Sequence, residues 1–386
     1  MTAQEYGRPN KLFTPGPVNI PNRVSLASIQ ACYHHRVDEF AQILTETLEL
    51  MKPVFGTQRQ VYPVHTTGRG AMEGVINNIL TPEDKAIAIC NGSFGAMAAK
   101  MMERNHIPCV RCWEGWSDNV DLEELERLIR LHKATAITVV HNDTSNGLVN
   151  PIWEIGKLAR RYDLMLIVDC VSAAGCAPFQ FDEWGVDAVV TASQKGLMSP
   201  AGMSFCVLSE KAERACAAIE SHDFYIDFKS IRKNLEKNGQ TPGSTPVSLV
   251  LAVHEAVKMI QEEGVEQVFA RHHDLARRTR AALEAMGFQL FPKNCAFRSD
   301  SLTVAAPPDG LDASALVAHM RKRYHIQIGG GLGEQAGKTI RIAHMGYCYM
   351  EDMLQCIAVL EAAMADLGWK EAPGAGLSAF LAGEDS

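Results

Sequence analysis

A lysine closes an apolar run in "VVTASQKGLMSPAG" (residues 189–202). Small and apolar residues lead to Ser193-Gln194-Lys195, and Gly196 and a Pro200-Ala201-Gly202 turn follow. An ammonium group at the buried end of a strand costs free energy unless it is paired or loses its charge. Other apolar runs end in polar groups too. "LMLIV" ends in Asp169, "AITVV" ends in "HNDTSNG" (141–147), and "YPVHTTGRGAMEG" passes through Thr67-Gly68-Arg69-Gly70 into a helical pattern. Each has a plain alternative: an aspartate caps a helix, glycines make a tight turn, and a single lysine snorkels to water. Four such ends at one edge of one sheet point instead to a site.

The chemistry that uses this set together is that of pyridoxal phosphate. A lysine condenses with the cofactor aldehyde, and an aspartate keeps the pyridine nitrogen protonated so that the ring draws electrons. The phosphate rests on N–H groups at a helix N-terminus, where the dipole and the unpaired donors favour an anion. Gly68 and Gly70 permit that close approach. Burial also lowers the pKa of a lysine and makes it a better nucleophile, so the ammonium need not persist.

These ends are positioned by apolar runs that alternate with helical patterns from about residue 70 to residue 210. "KAIAICN", "PCVRCW", "ATAITVVH", "LMLIVDCV", "AVVTAS" and "MSFCVLS" read as strands. "AMEGVINNIL", "GAMAAKMMERN", "DLEELERLIRLH" (capped by Asp118 or Asp121) and "IWEIGKLARRYD" read as helices. Doubly apolar strands separated by helices predict a largely parallel sheet covered on both faces, with ligands beyond the C-terminal strand ends. After residue 250 a long helical pattern leads into a smaller α+β region. The chain is therefore divided into an N-terminal arm (1–20), a large domain (21–255) and a small C-terminal domain (256–386). The Gly- and Ala-rich tail "EAPGAGLSAFLAGEDS" is expected to fray or dock loosely.

With 386 residues, 47% of them hydrophobic, the chain can bury the cores of two domains. A net charge of -8 without a basic block argues against a nucleic-acid partner, and no window is apolar enough to span a membrane. Eleven cysteines, an odd number placed largely in apolar runs (Cys90, Cys170, Cys206, Cys356), suit reduced thiols and a cytoplasmic location. Cys109 and Cys112 form a C-x-x-C without the further ligands of a zinc site, so no metal is expected.

Through "LFTPGPVNIP", "HHRVDEF", "HTTGRGAMEG", "HNDTSNG", "LIVDCVSAAG", "SQKGL" and "KTIRIAHMGY", in that order, the sequence resembles the class V aminotransferases of pyridoxal phosphate fold type I. It is most similar to alanine– or serine–glyoxylate aminotransferases and their pyruvate-using relatives. The resemblance implies a large domain with a mostly parallel seven-stranded sheet and a homodimer with shared active sites. It also implies ping-pong transfer of an amino group from a small amino acid or amine to glyoxylate or pyruvate. By the same resemblance, Lys195 is the cofactor-linking lysine, Asp169 the pyridine-nitrogen partner and Thr144 the partner of the phenolic oxygen. Thr67, Gly68, Arg69 and Gln194 hold the phosphate; Phe94 and Val171 lie on the two ring faces. Thr245 reaches the other subunit's phosphate, Arg341 grips the substrate carboxylate, and Gly16 and Tyr33 add substrate contacts. Tyr33, His34, His35, Tyr225 and the 329–337 loop are the expected sources of donor selectivity.

Two positions depart from the family pattern. Pro242 stands where glyoxylate enzymes of animal type carry a tyrosine, and "IGGGLGEQAG" lacks the extra arginine of pyridoxamine–pyruvate aminotransferase. The alternatives that stay open are a ureidoglycine–glyoxylate or pyridoxamine–pyruvate type of transfer and a lyase of the cysteine-desulfurase kind. A non-enzymatic binding protein on the same scaffold would not need Lys195, Asp169 and Arg341 together.

Overall fold

Alternate residues of the central strands face two different cores. In the strand Met165–Asp169, Leu166 and Val168 pack into one cluster, Met165 and Ile167 into the other. Strands apolar on both faces must be covered on both faces, as the sequence pattern implied. The computed structural model describes residues 10–30, 33–115, 120–220, 223–369 and 373–383.

Along the chain the strands are β1 (Lys11–Phe13), β2 (Val61–Val64), β3 (Ala86–Ile89), β4 (Cys109–Cys112), β5 (Ala136–Val140), β6 (Asn142–Asp143) and β7 (Leu148–Val149). They continue with β8 (Met165–Asp169), β9 (Ala188–Ala192), β10 (Ser204–Leu208), β11 (Gln289–Phe291), β12 (Leu302–Ala306), β13 (Ile326–Gly330) and β14 (Ile340–Ala343). Seven form the large sheet in the order β2-β10-β9-β8-β5-β3-β4, in which only β10 runs against its neighbours. The fold is the expected α/β architecture with a mostly parallel seven-stranded sheet.

One face of that sheet is covered by α1 (Asn22–Ser28), α2 (Asp38–Phe55) and, later in the chain, by α5 (Leu122–His132), α6 (Ile152–Arg161), α7 (Phe181–Trp184) and α10 (Val247–Glu263). The other is covered by α3 (Gly68–Ile79), α4 (Ser93–Arg104), α8 (Glu210–Ala218) and α9 (Phe228–Asn238). Asp121 caps α5 by accepting from the amides of Glu123 and Glu124; Asp118, the other reading of this cap, lies outside the described residues.

The long helical pattern after residue 246 is two helices. Gly264 (φ +92°) separates α10 from α11 (Val265–Ala285), a backbone conformation that side chains other than glycine avoid. Val257, Ile260 and Val268 still belong to the large sheet's core. A second, five-stranded sheet, ordered β1-β13-β14-β12-β11, packs with α11, α12 (Ala313–Tyr324) and α13 (Met350–Asp366) around a separate cluster. Strand β1 pairs with β13, so the N-terminal segment is stitched into this second sheet.

The C-terminal tail departs from expectation. Residues Ala375–Ala382 form a helix, α14, with Phe380 fully buried. Glu361 accepts from the amides of Gly376 and Leu377, and Arg278 donates to the carbonyls of Phe380 and Leu381. Small residues here allow close packing: a Cβ on Gly376 would lie 2.7 Å from Met286 Sδ. Among the described residues no helix is long and apolar enough to cross a membrane.

Candidate active site

A cavity of about 430 Å³ opens beyond the C-terminal ends of the parallel strands. Gln194 and Lys195 enter its wall after β9, Asp169 and Val171 at the end of β8, and Thr67, Gly68 and Arg69 after β2. Phe94, at the start of α4, and Gly16, in the N-terminal segment, complete the predicted residues that meet there. Such strand ends are where open α/β sheets receive ligands.

Lys195 is packed under the N-terminal segment. Its Nζ donates to the carbonyl of Pro15, while the amide of Val18 donates to the carbonyl of Gln194. Gly16 lies at φ +115°, and a Cβ there would sit 2.6 Å from Lys195 Cε. Glycine is therefore required by the backbone and by the lysine at once. Burial lowers the Lys195 pKa to about 8, with Asp169 opposing the shift and Arg341 reinforcing it. At pH 7.5 a pKa of about 8 leaves about a quarter of such amines neutral, against about one in a thousand at the ordinary 10.5.

Asp169 is buried, and burial raises its pKa to about 6, so it is ionised at neutral pH. The amide of Val171 donates to its Oδ1 at 2.9 Å. Next to its backbone, His141 donates its amide to the Asp169 carbonyl, and burial brings the imidazole down to about 4, hence neutral.

A second buried carboxylate, Asp143, escaped the sequence reading. Its Oδ2 accepts from the amides of Phe94 (3.0 Å) and Gly95 (3.4 Å), and its Oδ1 from the amide (2.9 Å) and hydroxyl (2.6 Å) of Ser145. Burial pushes its pKa up, and the donors from Ser145, Phe94 and Gly95 oppose that shift. It closes the N-terminus of α4. The N-terminus of α3 is different: Thr67 makes no capping bond, and among the described residues no side chain bonds the amides of Gly68, Arg69 or Gly70.

Arg341 lies beside the cavity rather than in its wall. Its Nε donates to the Gly330 carbonyl (2.7 Å) and Nη1 to the Thr144 carbonyl (2.8 Å); a Cβ on Gly329 would touch both Pro15 and Arg341. Among the described residues it has no carboxylate within 4.0 Å, and burial lowers its pKa to about 10, still charged at neutral pH. Thr144 thus meets Arg341 through its backbone.

Besides Arg341 and Thr144, two further predicted residues lie outside the cavity wall. Tyr33 is 41% exposed and stands outside its wall. Thr245 is buried elsewhere, its Oγ1 2.7 Å from Thr241 Oγ1. Of the residues expected to select the donor, Tyr225 lines a separate cavity and donates its hydroxyl to the His65 carbonyl, and His34 and His35 stack at 4.7 Å.

The cavity meets the demands of a phosphate-bearing planar ring on this chain's own geometry. An uncapped helix start offers N–H donors, and Gln194, whose side-chain amide carries two more, lines the same cavity. A Cβ on Gly68 would come 2.6 Å from Val171 Cγ2, so glycine keeps the floor of the site open. The aminotransferase class-V family model matches residues 23–351. The chain belongs to this family.

Among its relatives is the serine–glyoxylate aminotransferase of Methylorubrum extorquens, 34% identical over 96% of this class-V chain and 94% of that protein. The L-aspartate–glyoxylate aminotransferase of Paracoccus denitrificans is 35% identical over 96% and 95%. The solved ureidoglycine–glyoxylate aminotransferase of Bacillus subtilis superposes with a TM-score of 0.91 at 29% identity, over 97% of this chain and 98% of that one. The acceptor named is the same in all three, and the donor differs in each.

Proposed function

We propose that this class-V chain transfers an amino group from a small amino acid to a small 2-oxo acid, glyoxylate or pyruvate, with pyridoxal 5'-phosphate as cofactor. The observation that carries the reading is the pairing of a buried, partly neutral Lys195 with an ionised, buried Asp169 beside an uncapped helix start. When bound, the cofactor supplies an electron sink for negative charge developing at the substrate α-carbon.

The chain's residues then have separable tasks. The amides of Gly68 and Arg69, with Thr67 and Gln194, would hold the phosphate, Asp169 would pair with the ring nitrogen, and Phe94 and Val171 would hold the ring. Lys195 would hold and move the proton of the substrate α-carbon, because a pKa of about 8 matches the working pH of a general base. Arg341 grips the carboxylate that donor and acceptor share, since its planar fork fits a carboxylate and among the described residues has no internal one to satisfy. One grip therefore serves both halves of a ping-pong cycle. The division into arm, large domain and small domain belongs to the same proposal, as does a cytoplasmic homodimer in which Thr245 serves the partner's phosphate. Among the described residues no cysteine lines the cavity, which weighs against a desulfurase reading.

Lys195→Ala tests the assignment. It is expected to abolish both turnover and the absorbance of the lysine-bound cofactor, and substantial residual turnover refutes it. Screening serine, aspartate, alanine and ureidoglycine against glyoxylate and pyruvate identifies the pair.

A further inference from the structure

The motif "HHRVDEF" borders no part of the cavity, yet its arginine makes three hydrogen bonds to a distant connection. Arg36, just before α2, reaches the connection between α9 and α10. Its Nη1 donates to Gln240 Oε1 (3.2 Å) and the Thr241 carbonyl (2.8 Å), and its Nη2 donates to the Gly243 carbonyl. A planar guanidinium spans acceptors so arranged; a lysine ammonium does not.

The connection it holds is tightly folded. Gly239 (φ +66°) ends α9 and Gly243 (φ +70°) turns the chain again; a Cβ on Gly239 would lie 3.1 Å from Thr45 Oγ1 of α2. Thr241 passes the constraint on. Its carbonyl is bound by Arg36, and its hydroxyl shares a hydrogen bond with the hydroxyl of Thr245, with both threonines buried. Two hydrogen bonds, joined through Thr241, therefore connect the guanidinium to one hydroxyl that does not line its own chain's cavity. Beside this connection Phe224 and Tyr225 are 99% and 68% exposed, an apolar edge that one chain leaves uncovered.

We propose that Arg36 is a positioning residue acting in trans: through Thr241 it holds the Thr245 hydroxyl where it meets the anion at the α3 N-terminus of a second copy. The inference rests on the dimeric reading above. It separates Arg36, which touches no ligand, from the residues that do.

Mixed dimers of differently tagged chains test it, with the absorbance of the lysine-bound cofactor as readout, since only a Lys195-bearing site gives that signal. An Arg36→Ala homodimer is expected to bind pyridoxal phosphate about tenfold more weakly, the effect of one charge-assisted hydrogen bond. Pairing an Arg36→Ala chain with a Lys195→Ala chain leaves the one reporting site served by an intact partner loop, and wild-type affinity should return. Pairing the double variant with a wild-type chain leaves an intact site served by a loosened loop, and the tenfold loss should reappear.

Loss in the first mixture but not the second, loss in both, or no loss anywhere overturns the proposal. Should Arg36→Ala fail to assemble, Thr241→Val cuts the hydroxyl link while keeping the guanidinium, and must reproduce the trans pattern. Sedimentation of the wild-type holoenzyme separates the two claims: a monomer at every concentration removes the dimeric reading itself, whereas a dimer without the trans pattern removes only Arg36.

Discussion

Helices α3 and α4 both begin where an apolar strand ends, and both border the same cavity, but only one is closed. At α4 the carboxylate of Asp143 occupies the amides of Phe94 and Gly95, and a Cβ on Gly92 would lie 2.3 Å from its Cγ. At α3 the N-cap is Thr67, a residue type that commonly caps, and it makes no such bond. The two ends face one space with the same dipole and the same orphan donors. The chain supplies the anion at one and leaves the other for a ligand. On the proposed function, that asymmetry would orient an anionic group within the cavity.

The largest effect expected comes from opening the closed end. Asp143→Ala leaves the amides of Phe94 and Gly95 without their acceptor in a buried setting, a loss of roughly 3 kcal/mol that does not depend on cofactor. The apparent melting temperature of the apoprotein should fall by several degrees. A variant that melts with the wild type breaks the comparison.

The fixed carboxylate also acts at a distance. Asp143 raises the pKa of Lys195, as Asp169 does, while Arg341 lowers it. Reaction of the apoprotein with pyridoxal, which lacks the phosphate, should accelerate with pH through about 8, because only the neutral amine attacks. Removing an anion removes an attraction that favours the charged amine, so Asp143→Asn should move the midpoint down. Arg341→Gln removes a cation and should move it up. Shifts of the same sign in both variants contradict the electrostatics drawn here.

The open end should respond to an anion alone. Inorganic phosphate at ten times its dissociation constant is expected to stabilise the apoprotein by about 1.4 kcal/mol. Asp143→Asn should respond as the wild type does, because its altered helix start is the other one. Equal indifference in wild type and variant means that α3 is no anion site.

What was legible in the sequence follows the same division. Asp169 and Lys195 each stand at the end of an apolar run, so a polar residue there was conspicuous, and the turn proposed for the phosphate was marked by Gly68 and Gly70. Asp143 sits among "HNDTSNG", where one more polar residue carries no signal; its importance comes from Phe94 and Gly95, 49 and 48 residues away. Arg36 was hidden for the same reason, its acceptors being 204 to 207 residues distant. Composition misled at the C-terminus, where small residues that suggest a loose tail instead let α14 press onto Met286 and bury Phe380. The break at Gly264 lay within a helical periodicity that continues on either side of it, so the pattern ran through it.

The smallest effect is the most discriminating. A capping threonine replaced by alanine ordinarily costs about 1 kcal/mol, because a helix amide loses its acceptor. Thr67 makes no capping bond, so Thr67→Ala should cost the apoprotein less than about 0.5 kcal/mol. The cost should appear only with the ligand, as a diminished response to phosphate and a faster loss of pyridoxal phosphate on dialysis. A cap that matters only when an anion is present belongs to the anion and not to the helix. If Thr67→Ala instead destabilises the apoprotein as much as an ordinary cap deletion, the α3 start is closed from within, and the two helices do not differ.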